Sequence, residues 1–531
     1  MPTLEWIGKD KVVNHHQEVP YRVLERQYSY DEAGQHAEDN GSENMIIHGD
    51  NLEALKALLP RYEGKVKCIY IDPPYNTGNE GWVYNDNVND PKIKRWLGEV
   101  VGKEGEDLSR HDKWLCMMYP RLKLLQRLLA EDGAIFISID DVEFYNLRLI
   151  CNEIFGDHNF IATIIWRKNY APKGTAKHFS EDHDYILVYG KSAEQWIPHK
   201  MPRTEKQNKA YKNPDNDPRG LWRPNNLAAR NFYSKGTYSI ICPSGRVIKG
   251  PPAGSYWRVS EEKFWEMDRD GRIWWGKDGN NVPAPKIFLS EVADGVVPQT
   301  FWSYEEVGHT QDAKKEIKTI FTGETPFDTP KPVRLIERIL QIASDPDSII
   351  LDSFAGSGTT AHAVLNMNKA DGGNRKFILV EMMDYADSIT AERVKRVIDG
   401  YGEDKKAVEG TGGNFSYYEL GPVLLLPNGN LNEEVGPQKI REYVYYMETK
   451  EPLPAEQPTD EPYFMGLCRN IAYYFYYERE SVTTLDHAFL ATVQTKAEGY
   501  TIYADLCAIP QETLRKHNIT FKKIPRDIAR L

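Results

Sequence analysis

The chain has 531 residues, of which 40% are hydrophobic and 27% charged, and its net charge of −12 argues against a general binder of polyanions. The sequence contains neither an apolar run of the roughly 20 residues that a membrane span needs nor the apolar core of a signal peptide near its start. Its six cysteines are scattered without a CxxC pair, so we expect reduced thiols, no metal site and a cytoplasmic location.

The pattern of apolar residues divides the chain into five segments. Residues 1–43 are polar and weakly patterned, which predicts an irregular N-terminal arm. Residues 44–190 and 311–409 alternate strand and helix patterns, which predicts two halves of one α/β domain with a doubly wound, mostly parallel sheet. Residues 191–310, rich in Trp, Asn, Pro and Gly, predict an inserted module, and residues 410–531 predict a C-terminal α/β unit.

The first half of the α/β domain begins with a predicted strand at residues 44–50. A helix with apolar positions at Leu52, Leu55, Leu58 and Leu59 follows, and then a buried strand at residues 66–71. Residues 76–110 are rich in Gly, Asn and Asp, and because a loop of this length is usually functional we expect it to be mobile and to face the substrate. The remaining predicted elements of this half are a helix at 113–129, a turn at Asp132-Gly133, a strand at 134–139, a helix at 142–155 and strands at 161–166 and 185–189.

The buried strand at residues 66–71 leads directly into Asp72, Pro73, Pro74 and Tyr75. Two prolines forbid both a continued strand and an immediate helix, so the chain turns at the carboxyl edge of the sheet, where open α/β folds bind their ligands. A carboxylate that accepts hydrogen bonds from an exocyclic amine, beside a ring that stacks on a heterocycle, can hold a flipped nucleobase. For these four residues alone, a proline-rich turn with an ordinary tyrosine is the alternative.

The inserted module is basic at its start, in contrast to the acidic remainder of the chain. Its basic side chains predict a surface that faces DNA phosphates, with a solvated basic loop as the alternative. Its tryptophans are more typical of a core than of base stacking. The predicted DNA-facing residues are Lys200, Arg203, Lys206, Lys209, Lys212, Arg219, Arg223 and Arg230.

The second half of the α/β domain contains a glycine-rich turn. A helix at 329–344 and a strand at 349–351 precede it, a helix at 361–368 follows, and the strand at 377–380 ends at Glu381. Such a turn lets backbone NH groups approach a ligand, but it has neither the dinucleotide nor the P-loop signature. Because an acidic residue after the next strand suits ribose hydroxyls, these features favour a nucleoside cofactor without phosphates, such as S-adenosylmethionine.

The order of these motifs resembles a known family. DPPYNTG at residues 72–78, TPKP at 329–332 and FAGSGTT at 354–360 resemble the DNA amino-methyltransferases of the β type, in which the catalytic motif precedes the cofactor motif. The closer resemblance is to modification subunits of type III restriction-modification systems. It rests on HHQEVPYRVLE, GDNLEAL, HDKWLCMMYPRLKLLQRLL, GAIFISIDD, HDYILVYGK, RIWWGKDGNNVPAPKIFLSE, VPQTFWSYEEVGHTQDAKKE and ITFKKIPRDI, which occur in that order.

The resemblance implies a circularly permuted class I methyltransferase fold that methylates N6 of a flipped adenine in double-stranded DNA. Asp72 and the carbonyl oxygen of Pro73 would accept the two amine hydrogens, while Tyr75 would stack on the base. Residues 191–310 would be the target-recognition domain. Residues 410–531 would serve dimerisation or docking of a partner, and the resemblance implies a homodimer that can associate with a restriction subunit of helicase and nuclease activity.

The resemblance also implies S-adenosylmethionine as the cofactor and assigns residues to it. Asp352 belongs to this site, and Lys331 and Thr360 can reach the methionine carboxylate. A core role for Phe354, a helix cap for Thr360 and a surface cation for Lys331 are the alternatives. The other assignments are Phe354, Gly356 and Gly358 to the methionine and ribose region, Glu381 to the ribose hydroxyls and Asp50 to the adenine amine.

Four other functions compete with this interpretation. N4-cytosine methylation uses the same geometry on another exocyclic amine, and an aspartate at position 72 favours adenine only by family tendency. Methylation of a protein glutamine or of RNA fits the turn but leaves the insert unexplained. A DNA-recognition subunit without activity, and a solitary methyltransferase without a restriction partner, are the remaining alternatives.

Overall fold

The chain folds into two compact units. The computed structural model describes residues 3–76, 95, 98–99, 109–292, 295–455 and 460–526. The larger unit comprises Met1–Pro198 and Gln299–Leu531, and the smaller unit is His199–Pro298. The inserted module expected at residues 191–310 is therefore shorter at both ends. Within these described ranges, no helix is long and apolar enough to cross a membrane.

The helices follow the apolar periodicity of the sequence, and their ends are set by local capping. Helix α4 starts at Arg110 because the Ser109 and Asp112 side chains cap each other's backbone NH groups. Helix α10 starts only at Val333, since a residue before proline avoids helical dihedrals and Lys331 precedes Pro332. The helices are α1 (Lys9–Val12), α2 (His15–Glu18), α3 (Asn51–Tyr62), α4 (Arg110–Leu128), α5 (Phe144–Phe155), α6 (Glu205–Asn208), α7 (Glu261–Arg269), α8 (Tyr304–Val307), α9 (Thr310–Ile320), α10 (Val333–Ala343), α11 (Thr359–Asp371), α12 (Glu392–Asp399), α13 (Pro437–Thr449), α14 (His487–Leu490) and α15 (Gln511–Lys516).

The strands form one large sheet and several small ones. The predicted strand at 66–71 is confirmed at both ends. The strands are β1 (Arg22–Asp31), β2 (Gly34–His36), β3 (Met45–His48), β4 (Val66–Ile71), β5 (Leu129–Ile139), β6 (Phe160–Arg167), β7 (His183–Gly190), β8 (Trp222–Pro224), β9 (Ala228–Ala229), β10 (Ile240–Ile241), β11 (Val247–Ile248), β12 (Tyr256–Trp257), β13 (Ile273–Trp274), β14 (Ala284–Phe288), β15 (Phe301–Trp302), β16 (Ile349–Asp352), β17 (Lys376–Glu381), β18 (Gly400–Tyr401), β19 (Val408–Glu409), β20 (Asn414–Val423), β21 (Phe464–Cys468), β22 (Ile471–Phe475), β23 (Thr484–Leu485), β24 (Gly499–Ala504), β25 (Leu506–Cys507) and β26 (Ile519–Lys523).

The large sheet has the order β15-β6-β7-β5-β4-β16-β17-β3-β20-β1-β2 in the described part of the chain. Strands β5, β4, β16, β17, β3 and β20 are mutually parallel, which confirms the doubly wound, mostly parallel sheet. From β16 the chain continues to β17 on one side, whereas from β4 it continues to β5 on the other. This divergence opens a crevice at the carboxyl ends of β4 and β16, where such sheets bind ligands.

Two expectations from the sequence are wrong in this sheet. The supposed irregular arm contains β1, which pairs with β20, and β20 lies within the segment expected as a separate C-terminal unit. Local periodicity missed this pairing because the two strands lie almost 400 residues apart in the sequence. The expected turn at Asp132-Gly133 lies inside β5, where a register shift against β4 accommodates the residues and a Cβ on Gly133 would meet backbone oxygens at 2.9 Å.

The C-terminal segment beyond β20 adds a second sheet to the larger unit. Its strands follow the order β21-β22-β24-β26. One apolar cluster joins Ile440 and Tyr445 of α13 to Met465 and also includes Val23 of β1. This segment therefore packs against β1 of the large sheet.

The smaller unit has its own core. Trp257, Phe264 and Trp275 are buried together with Leu227 and Ile240. Its two- and three-stranded sheets are short and antiparallel. These tryptophans are therefore core residues, as their density in the sequence suggested.

Candidate active site

The turn after β4 is held by its neighbours on α4 and α5. Trp114 Nε1 of α4 donates to the carbonyl oxygen of Pro74 at 2.6 Å. Asn76 has a left-handed backbone with φ 59°, and its side-chain amide donates to Arg110 O at 3.1 Å and to the buried carboxylate of Glu143. The rest of the loop expected at 76–110 lies almost entirely outside the described residues. These contacts fix the path of the chain immediately after Asp72.

Asp72 is paired with a lysine from a distant part of the sequence. Lys331 Nζ lies 2.5 Å from Asp72 Oδ2, and each side chain is 11% exposed. The same ammonium lies 5.0 Å from the ring centroid of Tyr75. Asp72 Oδ1 and the Tyr75 hydroxyl are buried and face each other, but neither makes a hydrogen bond of normal geometry among the residues described. Because unpaired buried polar atoms are costly, these two atoms mark a site that a ligand completes.

Two more carboxyl groups face Asp72. Asp184 of β7 accepts from Lys168 Nζ at 2.6 Å, and burial raises its pKa although Lys168 and Lys331 lower it. Asp352 at the end of β16 accepts from the Thr360 hydroxyl at 2.6 Å and from Phe354 N at 3.1 Å. Burial raises the pKa of Asp352 to about 7, and Asp72 contributes to the rise. The site is therefore a buried acidic cluster with Lys168 and Lys331 as its cations.

The glycine-rich turn after β16 requires its glycines. Gly356 and Gly358 have φ values of 52° and 80°, which L side chains rarely adopt. A Cβ on Gly356 would meet Phe327 at 3.1 Å, and one on Gly358 would meet Thr390 O at 3.0 Å. Both positions therefore require glycine for the turn at the start of α11 to pack against Phe327 and Thr390.

Glu381 braces this turn from the end of β17. Its carboxylate accepts from Gly356 N at 2.8 Å and from Met383 N at 2.9 Å. Burial raises the pKa of Glu381, although these backbone NH groups lower it. Met382 N and the Tyr385 hydroxyl also bond this carboxylate, so its acceptor positions are largely occupied within the protein.

Asp50 has a structural role at the start of α3. One oxygen accepts from Leu52 N at 2.8 Å and from Glu53 N at 3.2 Å, and the other lies 3.2 Å from Arg121 Nη2. The adjacent Gly49 N donates to Glu381 O at 3.0 Å. The predicted contact of Asp50 with the cofactor stays a prediction.

The structure brings the predicted catalytic and cofactor residues to one edge of the sheet. Asp50, Glu381, Asp352 and Asp72 follow the neighbouring parallel strands β3, β17, β16 and β4. Two of the assignments differ in their contacts from what the sequence implied. Lys331 pairs with Asp72, and the Thr360 hydroxyl binds Asp352.

Sequence reasoning missed a buried arginine that supports both motifs. Arg393 of α12 is fully buried and donates to Ser357 Oγ and Thr359 Oγ1, both at 2.8 Å. Thr359 in turn donates to the carbonyl oxygen of Lys331 at 3.3 Å. No local pattern distinguishes Arg393 from a surface arginine of an amphipathic helix, so only its burial reveals the role.

The predicted DNA-facing residues of the smaller unit fall into two groups. Arg219 pairs with Asp217 at 2.9 Å and with Asp270 at 3.2 Å, while Arg203 and Arg223 lie against the hydroxyl of Tyr211. Lys200, Lys209, Lys212 and Arg230 are exposed, and so is Arg223 despite its contact with Tyr211. The side chain of Lys206 lies outside the described residues. The exposed group is the part of the predicted surface that is accessible to a polyanion.

Residues 66–392 match the DNA methylase family, a range that includes the turns after β4 and β16 but neither Asp50 nor Arg393. The StyLTI Mod subunit of Salmonella typhimurium, a type III restriction-modification enzyme, is 35% identical over 424 residues, which are 74% of this chain and 62% of that subunit. The chain therefore spans about three fifths of that relative. The type II methyltransferase M.KpnI of Klebsiella pneumoniae is 32% identical over 366 residues, 65% of this chain and 81% of the relative.

Among solved structures, a DNA modification methylase from Thermus thermophilus in complex with S-adenosyl-L-methionine matches with a TM-score of 0.33 and 16% identity. The match covers 71% of this chain and 99% of that one.

Proposed function

Because the chain belongs to the DNA methylase family, we propose that it transfers a methyl group from S-adenosylmethionine to N6 of a flipped adenine in double-stranded DNA. We propose further that it does so as the modification subunit of a type III restriction-modification system, the class to which the StyLTI relative belongs. The observation that carries the proposal is the placement of Asp72 and Asp352 at the carboxyl ends of adjacent parallel strands, with an unpartnered acceptor on Asp72.

The turn after β4 suits a flipped base. A methyl donor cannot reach the amine of a base that is paired inside the duplex. The base must therefore leave the stack, at a cost of about a few kcal/mol. Tyr75 is partly exposed although its hydroxyl is buried, and stacking on its ring offsets about 1–3 kcal/mol of that cost. Asp72 and the Pro73 carbonyl oxygen accept the two amine hydrogens and orient the nitrogen lone pair toward the methyl donor.

The turn after β16 suits the cofactor. When bound, S-adenosylmethionine supplies an electrophilic methyl group on a sulfonium. Gly356 and Gly358 allow the close approach of its methionine and ribose portions beside Phe354, and Glu381 accepts from the ribose hydroxyls. The buried hydroxyl of Ser353, which has no partner in the part of the chain described, lies in the same turn and is a further donor for a ligand.

Asp72→Ala tests the catalytic assignment. We expect tritiated methyl transfer to DNA to fall by roughly 10²–10³-fold or more, the scale for loss of one preorganised polar group. Cofactor affinity, measured by calorimetry, should stay within about twofold, because the glycine-rich turn is braced independently of Asp72.

Asp132→Ala is the matched control, since Asp132 also pairs with a lysine but at the opposite end of the sheet, where it is 56% exposed. Transfer near the wild-type rate in Asp72→Ala would refute the assignment. Sequencing of the methylated product distinguishes N6-methyladenine from N4-methylcytosine.

Target choice is proposed to lie in the smaller unit. Its exposed basic residues give a surface for phosphates, and its core is separate from that of the larger unit. Exchange of residues 199–298 for those of a relative with another target should transfer the recognition sequence, as read by methylation-sensitive sequencing. An unchanged sequence would refute the proposal.

The assembly is proposed from the same relatives. We propose a homodimer that can bind a restriction subunit, with the C-terminal sheet and α13 as the docking region, in the cytoplasm where chromosomal DNA is accessible. Light scattering of the purified chain tests the dimer, and co-purification with the restriction subunit of the StyLTI system tests the partner.

A further inference from the structure

Lys331 precedes a proline, which favours an extended backbone at the lysine. It lies between Pro330 and Pro332, and Pro332 is the N-cap of α10 with ψ 139°. The Thr359 hydroxyl anchors the Lys331 carbonyl oxygen, and Arg393 anchors Thr359. These contacts hold the backbone from which the Lys331 ammonium reaches to 2.5 Å from Asp72 Oδ2.

Asp72 faces charged and titratable groups on every element around it. Asp184 and Lys168 approach from β7 and the end of β6, and Asp352 from the end of β16. Tyr70 of β4 and Tyr75 lie within the same electrostatic environment. Lys168 is paired with Asp184, so Lys331 is the cation in contact with Asp72 among the residues that the structure describes. Without Lys331, the Asp72 carboxylate would face two other carboxyl groups with no cation in contact, and this arrangement favours its protonated form.

We propose that Lys331 is a positioning residue for the methyl transfer, which holds the Asp72 carboxylate through Oδ2 and leaves Oδ1 as the acceptor for one hydrogen of the target amine. The inference rests on the proposed function. A protonated Asp72 would direct a hydrogen-bond donor at the target amine. Because the amine also presents hydrogens in that direction, two donors would face each other. The buried, unpartnered Oδ1 is the atom that remains to accept one of them.

This role differs from the contact with the methionine carboxylate that the sequence implied, and the two roles predict different losses. A cofactor ligand changes cofactor affinity when it is removed. A positioning residue for Asp72 changes the transfer step and its dependence on pH, because its cation opposes protonation of the carboxylate.

Three variants of the full chain separate these roles. K331M removes the cation, K331R keeps it, and K369M removes a lysine that pairs with Glu409 at 2.9 Å on the exposed part of α11, outside the site. For each variant we would measure cofactor affinity by calorimetry, the thermal unfolding midpoint, and the single-turnover rate of methyl transfer to DNA from pH 5 to 9.

We expect K331M to bind the cofactor within about twofold of wild type and to transfer roughly 10–100-fold more slowly at neutral pH, the scale on which misplacement of a reacting group acts. The acidic limb of its rate profile should move upward by about one pH unit, whereas K331R and K369M keep the wild-type limb. The role is also supported if K331M binds the cofactor normally but transfers no methyl group at any pH, while K331R is active.

An unshifted acidic limb in K331M would overturn the inference, as would at least tenfold weaker cofactor binding in K331M and K331R. If the proposed function is wrong, the wild-type chain itself transfers no methyl group to DNA. That outcome differs from every outcome that concerns Lys331 alone. Calorimetry remains informative in that case, since it reports on Lys331 and the cofactor without any transfer.

Discussion

The turn after β4 and the turn after β16 lie side by side at one edge of the sheet but differ in how their polar groups are satisfied. In the turn after β16, Asp352 binds Thr360, Glu381 binds Gly356 N, and Arg393 binds two hydroxyls. In the turn after β4, Asp72 and Tyr75 each keep a buried polar atom without a partner in the described residues. The turn after β16 is thus braced mainly by its own side chains, with the buried Ser353 hydroxyl left for a ligand, whereas the turn after β4 leaves an Asp72 acceptor and the Tyr75 hydroxyl for a ligand to complete.

This difference implies that substitutions in the two turns should change different measured quantities. Changes in the turn after β16 should reduce stability and cofactor affinity. Changes in the turn after β4 should reduce methyl transfer and leave both largely intact.

The largest effect is expected for Gly358→Asp. A Cβ there meets Thr390 O at 3.0 Å, the backbone φ of 80° is unfavourable, and the new carboxylate lies beside an acidic cluster. Cofactor affinity should fall more than about 100-fold, which corresponds to about 2.7 kcal/mol. Calorimetry measures the loss, and Gly372→Asp, in the open left-handed cap at the end of α11, is the control.

The next effect is expected for Arg393→Met. The change removes two charge-assisted hydrogen bonds from the buried start of α11, and the free energy of unfolding should fall by about 1.5–3 kcal/mol. Urea denaturation measures the change. A stability equal to that of the exposed control Lys369→Met would show that the turn after β16 does not depend on this brace.

A pH-dependent effect is expected for Asp352→Asn. Burial raises the pKa of Asp352 from 3.8 to about 7, so the native state binds its proton more tightly than the unfolded state does. The stability that this group contributes is therefore present below about pH 4 and is lost as the pH rises toward 7. Because asparagine stays neutral, the free energy of unfolding of the variant should rise relative to that of wild type as the pH increases from about 4 to about 7.

Urea denaturation at pH 4, 5, 6 and 7 measures this difference. A constant difference between Asp352→Asn and wild type across these four values would contradict the expectation.

The smallest effect is expected for Trp114→Phe in α4, whose side chain holds the turn after β4. It removes the hydrogen bond to Pro74 O and leaves that acceptor unpaired, at a cost of about 1 kcal/mol. Methyl transfer should fall by roughly fivefold if the whole cost acts on the position of Asp72. The contrast between the turns would fail here if cofactor affinity fell by the same factor.

Most of the fold and of the site could be predicted from local sequence signals. The apolar run at 66–71, the two prolines after it and the glycines at 356 and 358 act through their own backbone, so their positions were predictable without knowledge of distant contacts. The pairing of β1 with β20 was not predictable in this way, because neither strand shows strict alternation and their partners are distant in sequence.

Functional side chains divide along the same line. Asp72, Tyr75, Asp352 and Glu381 were predicted because each follows a buried strand, and the carboxyl ends of parallel strands meet at one edge. Arg393 and Asp184 had no such signal, since a buried charge on a helix or strand looks like an exposed one until its neighbours are known.

The sequence by itself determined which residues turn the chain at the edge of the sheet, because prolines, glycines and apolar runs constrain the backbone locally. Only the tertiary structure decided which of those residues touch. Lys331 follows Asp72 by 259 positions, and its ammonium lies on that carboxylate because parallel pairing of β4 with β16 and the extended backbone before α10 bring the two together. Contacts between side chains from distant segments depend on such packing, and no local pattern encodes them.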